Sequence, residues 1–206
     1  MAQATTSARR TQTERRDEAE QRLFKAAVAL VAERGLERIT LADVGEAAGY
    51  SRGLPGHYFG SKAGMVVILA ERLIEGFGVG LARAEHHAPG LERLKGTIRF
   101  YFDTALRDPV TTKALFVLLG DGLSNPLIRE PIAGLNASSA AAFADQIQAG
   151  IAAGEIRADV DAAAQGLLIL TQLRGAVGVW LLSPGTIDLA RVREDVVAAV
   201  TRNLAA

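Results

Sequence analysis

The strongest constraint on this chain is a stretch of 23 residues from Thr40 to Lys62, TLADVGEAAGYSRGLPGHYFGSK. Thr40-Leu41-Ala42-Asp43 has the form of a capping box, in which a hydroxyl accepts from free amides of the first helical turn and an acid three residues later reaches back. A helix is therefore expected from Leu41, with Leu41, Val44 and Ala48 on one face and Gly49 where a left-handed terminating residue is wanted. Ser51 follows at once as a cap for a second short helix carrying Arg52, Leu54, His57 and Tyr58 up to Phe59. Two short helices joined by a tight glycine turn make a helix-turn-helix, and the second helix has the diameter of the DNA major groove. Pattern alone leaves a second reading open, an ordinary helical hairpin in a bundle.

The residue identities add to the pattern. Gly35-Leu36, Thr40, Val44, Ala47-Ala48-Gly49, Ser51-Arg52-Gly53, Tyr58-Phe59 and Ser61-Lys62 together resemble the DNA-binding domain of TetR-family transcriptional regulators. The resemblance covers about a quarter of the chain. It implies about nine helices, the first three for DNA and the rest for dimerisation and a small-molecule pocket. By the same resemblance Thr40, Tyr58 and Lys62 look like phosphate contacts, while Ser51, Arg52, Gly53, Leu54 and His57 occupy the reading surface. One position departs from the family: Gly56 stands where an aromatic residue, most often tyrosine, commonly touches phosphate. Pro55 is a second oddity, because beyond the first turn proline removes an amide and crowds the carbonyl four residues back.

A rival motif overlaps the same residues. Gly49-Tyr50-Ser51-Arg52-Gly53 satisfies G-x-S-x-G, the nucleophile elbow of α/β hydrolases. That elbow needs a strand before it, whereas Ala42 to Ala48 has helical spacing, and no strand-period run recurs to build a sheet.

Charge and cysteine narrow the class further. The 23 basic and 23 acidic residues cancel, which argues against a generally basic nucleic-acid coat protein but leaves local phosphate-binding patches possible. Arg9, Arg10, Arg15 and Arg16 make the first sixteen residues a small basic arm, expected to be flexible and suited to the minor groove. Cysteine is absent, so neither a disulfide framework nor thiolate metal chemistry is expected. No metal site, cofactor or catalytic constellation is expected either; the adjacent His86 and His87 lack acids at ligand spacing. The N-terminus lacks an apolar signal core, which makes the cytoplasm the default. Ala162 to Leu182 is apolar and long enough to cross a bilayer. Arg174 near its middle, beside Gln172, would cost about 2.5 to 3.5 kcal/mol there, so a helix buried between protein surfaces is the better reading and no membrane role is expected.

Taken in order, the chain reads as all-α. Residues 1–16 form the arm, 17–62 the helix-turn-helix domain and 63–206 a ligand-binding and dimerisation domain. Leu23, Ala27, Leu30 and Val31 form the stripe of an amphipathic helix from Glu18 to Arg34. Ser61 caps a long helix that joins the two domains. Leu91 to Ala105 gives another, with Arg99, Asp103 and Arg107 as a solvated ion-pair row. Asp108-Pro109 starts the next, a loop is expected over Gly120 to Pro131, and helix resumes from about Ile132 to Ala153. Asp159 or Asp161 starts the apolar helix through Trp180, and Ser183 to Thr186 caps a last helix through Leu204. These last two helices are apolar around more of their circumference than one monomer needs, which predicts a homodimer through them.

The function expected from all this is a ligand-responsive transcriptional regulator, a repressor that leaves a double-stranded DNA operator when a small apolar or aromatic effector binds. Tyr101, Phe116, Gln172 and Trp180 are candidate pocket residues, each an aromatic face or polar handle in an apolar region. The alternative is an all-helical small-molecule-binding protein or enzyme that does not read DNA, which Pro55 and Gly56 favour.

Overall fold

The structure is a computed structural model that describes residues 11–84 and 87–206. Among the described residues nine α-helices form and no strand does: α1 (Gln12–Arg34), α2 (Leu41–Ala47), α3 (Leu54–Phe59), α4 (Lys62–Ala84), α5 (Leu91–Arg107), α6 (Pro109–Asp121), α7 (Pro126–Ala152), α8 (Ala162–Leu182) and α9 (Leu189–Leu204). The chain divides between Leu69 and Ala70 into two compact units, so α4 contributes to both.

In the first unit α1 starts earlier than its apolar stripe suggests. Thr11 accepts from the Glu14 amide at 3.2 Å, and the Glu14 carboxylate accepts from the Thr11 amide at 2.8 Å. That second capping box begins the helix at Gln12, which makes residues 12–16 of the expected arm helical; residues 1–10 lie outside those described. Leu23, Ala27 and Val31 on α1 are wholly buried, and so are Ile39, Val44 and Met65 from the segments that follow. Ser61 caps α4 as expected, its hydroxyl accepting from the Gly64 amide at 3.0 Å.

The second unit packs around Leu94, Ile98 and Phe102 of α5, Ile147 of α7, and Leu173 and Val177 of α8, all wholly buried. Its closest helix approach is at Gly166, where a Cβ would meet the Ala140 carbonyl oxygen at 2.5 Å and the Ala144 amide nitrogen at 2.9 Å. The chain end is tied to the α7–α8 connection, with Arg157 N donating to Leu204 O at 3.0 Å and Ala206 N to Glu155 O at 3.2 Å.

Several boundaries differ from the sequence reading. The loop expected over Gly120 to Pro131 shrinks to residues 122–125, because Asn125 caps the Leu127 amide at 3.1 Å and Pro126 sits at the first helical position, where no amide is missed. Pro131 is carried inside α7 because Ile128 and Ile132 on either side of it are buried. Asp161, one of the two candidates, caps α8. Asp188 rather than the Ser183–Thr186 turn caps α9, accepting from Arg191 N at 3.0 Å. The Arg99, Asp103, Arg107 row is not a simple ladder along α5. Asp103 pairs with Arg193 of α9, Arg99 reaches Glu194 at 3.6 Å, and Arg107 lies over the Phe100 ring at 6.0 Å. Of the histidine pair, His86 lies outside the described residues and His87 is exposed.

Two glycines give opposite expectations. Gly166→Ala forces its methyl against backbone atoms that no side-chain rotation relieves, and is expected to lower stability by about 1–3 kcal/mol. Gly134→Ala, in α7 with nothing within 4 Å of the new Cβ, is expected to raise it by about 0.5–1 kcal/mol. Urea unfolding followed by circular dichroism checks both.

Candidate nucleic-acid interface and ligand cavity

The Thr40 capping box forms as its residues dictate. Asp43 N donates to Thr40 Oγ1 at 3.2 Å, Thr40 N donates back to the Asp43 carboxylate at 2.8 Å, and the Thr40 hydroxyl adds a third bond at 2.7 Å. The two bonds that the carboxylate accepts, from the Thr40 hydroxyl and the Thr40 amide, hold the Asp43 carboxyl below its ordinary pKa, because each favours the ionised form. α2 then ends in a Schellman turn. Tyr50 N reaches back to Gly45 O at 2.8 Å and Gly49 N to Glu46 O at 3.0 Å, with Gly49 at φ +77°. The Tyr50 ring is held from α1 by Arg22, whose guanidinium lies 5.7 Å from the ring centre.

α3 starts later than the sequence suggests. Ser51, Arg52 and Gly53 remain in the turn, Gly53 takes the N-cap position without a side-chain bond, and the helix runs from Leu54. Pro55 therefore falls in the first turn, where its missing amide costs nothing, which removes the objection raised against it. Its ring is buried, and the space for it comes from a residue that sequence reasoning passed over. A Cβ on Gly45 would meet Ser51 O at 2.7 Å and the Pro55 ring carbons at 3.2 Å. The signal was available: a glycine in the middle of a seven-residue helix costs about 1 kcal/mol against alanine and calls for a packing reason.

Ser51, Arg52, Gly53 and His57 are exposed side by side, while Leu54 and Tyr58 are half-buried. Arg52 reaches Glu46 at 3.2 Å, an exposed pair that holds the guanidinium only loosely. Tyr58 donates its hydroxyl proton to the Arg16 carbonyl at 3.2 Å, and Lys62 Nζ donates to the Glu37 carbonyl at 3.0 Å. Both side chains thus brace the unit to its neighbours in α1 and the loop after it. Two of the three Lys62 N–H groups remain available for another acceptor. Gly56 borders open space, with nothing within 4 Å of a Cβ placed there, so packing does not forbid the aromatic that usually stands at this position.

The profile described as bacterial regulatory proteins, tetR family, matches residues 23–67, and that of the BetI-type transcriptional repressor C-terminal domain matches residues 90–205, more than half the chain. The chain belongs to the TetR family of transcriptional regulators. A search of curated protein sequences finds no match. Among solved structures, the TetR-family chain is similar to a putative transcriptional regulator from Saccharomonospora viridis in complex with choline (21% identity, 92% of this chain and 99% of that one, TM-score 0.80). It is similar also to FadR from Bacillus subtilis in complex with stearoyl-CoA (20% identity, 88% and 97%, TM-score 0.76). A third similar structure is the ketosteroid transcriptional regulator KstR2 of Mycobacterium tuberculosis (24% identity, 91% and 95%, TM-score 0.71). At these identities the likeness concerns the fold.

In the second unit of this TetR-family protein the four residues expected in a pocket fall in different places. Tyr101 lines a cavity of about 40 Å³ with Phe77, Thr97, Ser139, Ala142, Phe143 and Leu170. Phe116 packs against α8 at Gly178, where a Cβ would lie 3.2 Å from its ring. Trp180 belongs to the core, and Gln172 is exposed on the outer face of α8. The sequence missed Phe77, whose ring centre lies 5.7 Å from that of Tyr101 in an edge-on pair. It also missed Arg174, which bonds to Asn136 Oδ1. Burial pushes the Tyr101 hydroxyl pKa up to about 12, so this phenol stays protonated throughout the working range.

Gly45→Ala is expected to force α2 and α3 apart and destabilise the first unit by about 1–3 kcal/mol, despite the better helix propensity of alanine. Hydrogen exchange resolved by segment checks it: protection should fall in residues 41–59 and persist in α7 and α8.

Proposed function

We propose that this TetR-family regulator is a homodimeric repressor that binds an operator through α3 and the turn before it, and releases it when a small molecule occupies the second unit. The observation that carries the reading is the exposed group Ser51, Arg52, Gly53 and His57, presented by a turn that the Gly49 Schellman motif and the Gly45–Pro55 contact make rigid. Arg52 is the candidate for a bidentate contact to a guanine edge, and binding DNA would exchange its loose pairing with Glu46 for that contact. Leu54 supplies apolar contact to a thymine methyl. Thr40, Tyr58 and Lys62, together with the free amides at the start of α2, face the backbone phosphates in this reading.

The dimer reading draws on α8. Leu167 (55% exposed), Leu168 (52%), Val179 (56%) and Leu182 (86%) lie on one stripe with Gln172 and Gly175 between them. By length and composition α8 is the one helix among those described that is apolar enough to cross a membrane. A second copy covering this stripe explains the apolarity without a bilayer, and suits a soluble regulator working in the cytoplasm. α9 contributes less than its sequence suggests. Val197, Val200 and Leu204 are already buried within the chain, leaving Ala198 and Ala199 on its exposed side.

Release follows from population shift. Two readers fit successive major grooves when their centres are about 34–36 Å apart. A ligand preferring another spacing draws the protein from DNA by no more than its differential affinity. α4 is the candidate lever because it belongs to both units. Solved relatives holding choline and stearoyl-CoA support a ligand-responsive second unit.

Two tests follow. In titrations against the DNA upstream of the protein's own gene and against random duplex, Arg52→Ala should lose about 1–3 kcal/mol of preference for the specific duplex. Lys62→Ala should weaken both duplexes alike and reduce the salt slope by about 1. Equal losses on both duplexes for both variants would overturn the assignment of roles. Separately, Leu168→Arg should convert the protein to a monomer in light scattering and abolish high-affinity operator binding; an unchanged dimer would place the interface elsewhere.

A further inference from the structure

The candidates for an undescribed site are few. The groove along α5 lined by Gly96, Arg99, Phe100, Asp103, Leu106 and Arg107 has its acid engaged by Arg193 and one of its guanidinium groups stacked on Phe100, so its charges are already matched. The apolar stripe of α8 belongs to the dimer reading above. The remaining candidate is Arg174.

Arg174 is the only charged residue on α8. It lies half-buried between α5, α7 and α8, and the groups it meets are neutral: Asn136 Oδ1 and the Tyr101 hydroxyl. Its Nε is buried and has no hydrogen-bond partner. No carboxylate lies within ion-pairing distance of it among the described residues, and the acid nearest in sequence to Tyr101, Asp103, is taken by Arg193. A guanidinium stays protonated even under desolvation, which here lowers its pKa from a very high value. Withdrawing such a charge partly from water without a counter-charge is unfavourable, and an anion bound beside it would offset that cost.

The position of this charge gives it a use. Tyr101 belongs both to the Arg174 cluster and to the cavity wall; Leu170 is one helical turn from Arg174, and Ser139 is one turn from Asn136. Through Tyr101 the polar cluster adjoins the apolar cavity lined by Phe77, Ala142, Phe143 and Leu170. At about 40 Å³ the cavity has room for little more than a water molecule, well below the 300–1,000 Å³ of ordinary ligand sites. A ligand body enters only if a wall moves. Phe77 is the candidate wall because Gly76 and Gly78 on either side of it touch nothing within 4 Å.

We propose that the effector is a small carboxylic acid, its carboxylate held by Arg174 and Tyr101 and its apolar body displacing Phe77. This deepens the ligand-responsive reading of the second unit and rests on it. A carboxylate accepts two parallel N–H bonds from a guanidinium, which would engage the buried Nε, and a third from the Tyr101 hydroxyl, which burial keeps protonated. A quaternary ammonium such as choline would instead meet a like charge beside the cavity.

Calorimetric titration with benzoate, phenylacetate, octanoate and decanoate, each beside the alcohol and the amine of the same skeleton, tests the proposal. At least one acid should bind tenfold or more tighter than its alcohol, with the amine weakest. Arg174→Met should cost that acid tenfold or more and leave its alcohol unchanged or improved, Arg174→Lys should retain part of the affinity, and Tyr101→Phe should cost several-fold. Without ligand, Arg174→Met should raise the melting temperature by about 2–4 °C, because it removes an uncompensated charge; a fall of similar size would make Arg174 a structural strut and overturn the proposal. Binding by none of the acids, or alcohols and amines binding as well as acids, would overturn it too. A gel shift run alongside separates the two levels. DNA binding that no acid relieves leaves the regulator reading standing without the acid, whereas acid binding by a protein that shifts no DNA leaves the site standing without the regulator.

Discussion

Everything in the first unit depends on how closely α2 and α3 approach across Gly45. A methyl group at that point would overlap the Ser51 carbonyl and press on the Pro55 ring, and the two helices would have to separate. With hydrogen there, the Schellman bonds from Tyr50 and Gly49 close, the three residues after Tyr50 are fixed in a turn, and Pro55 is seated in the first turn of α3. α3 has only six residues and poor intrinsic propensity, so it persists as a helix because that contact and the buried Phe59 hold it. The stability of the reading surface is therefore tertiary in origin, and is borrowed from α1 and α2.

The helices were legible in the sequence where a local rule acts without competition. Thr40 with Asp43, Ser61, Asp108 and Gly49 carry their roles in residues no more than five apart, and each plays the part its chemistry dictates. The differences have two causes, one local and one tertiary. The polar, Thr/Arg-rich composition of residues 1–16 points to an arm, although within it Thr11 and Glu14 form the same kind of box as Thr40 and Asp43. The two glycines and two prolines between Gly120 and Pro131 are a local signal for a loop, while the burial of Ile128 and Ile132 that carries the helix through Pro131 is a tertiary fact. Arg99 and Asp103 were read as neighbours along α5, and their partners turn out to sit on α9, about ninety residues away.

The site was legible to different depths in the two units. The proposed reading surface could be listed residue by residue because the family motif is dense there, yet sequence could not show that Tyr58 and Lys62 bond to the Arg16 and Glu37 carbonyls. In the second unit aromatic and amide residues were chosen for chemistry alone, and only Tyr101 lines the cavity. Arg174 was noticed in the sequence, but as an argument against a bilayer. Its neutral surroundings become visible only when α5 and α7 are folded against α8.

Trp180, the single tryptophan, sits in the core of the second unit, two residues after the Gly178 that Phe116 covers. The other two tyrosines besides Tyr101, Tyr50 and Tyr58, belong to the first unit. Intrinsic fluorescence excited at the red edge of the spectrum is consequently silent about the DNA-reading half and reports one half of the molecule only. The chain carries its own optical label, already placed in the second unit, so that any signal DNA produces there has crossed from the first.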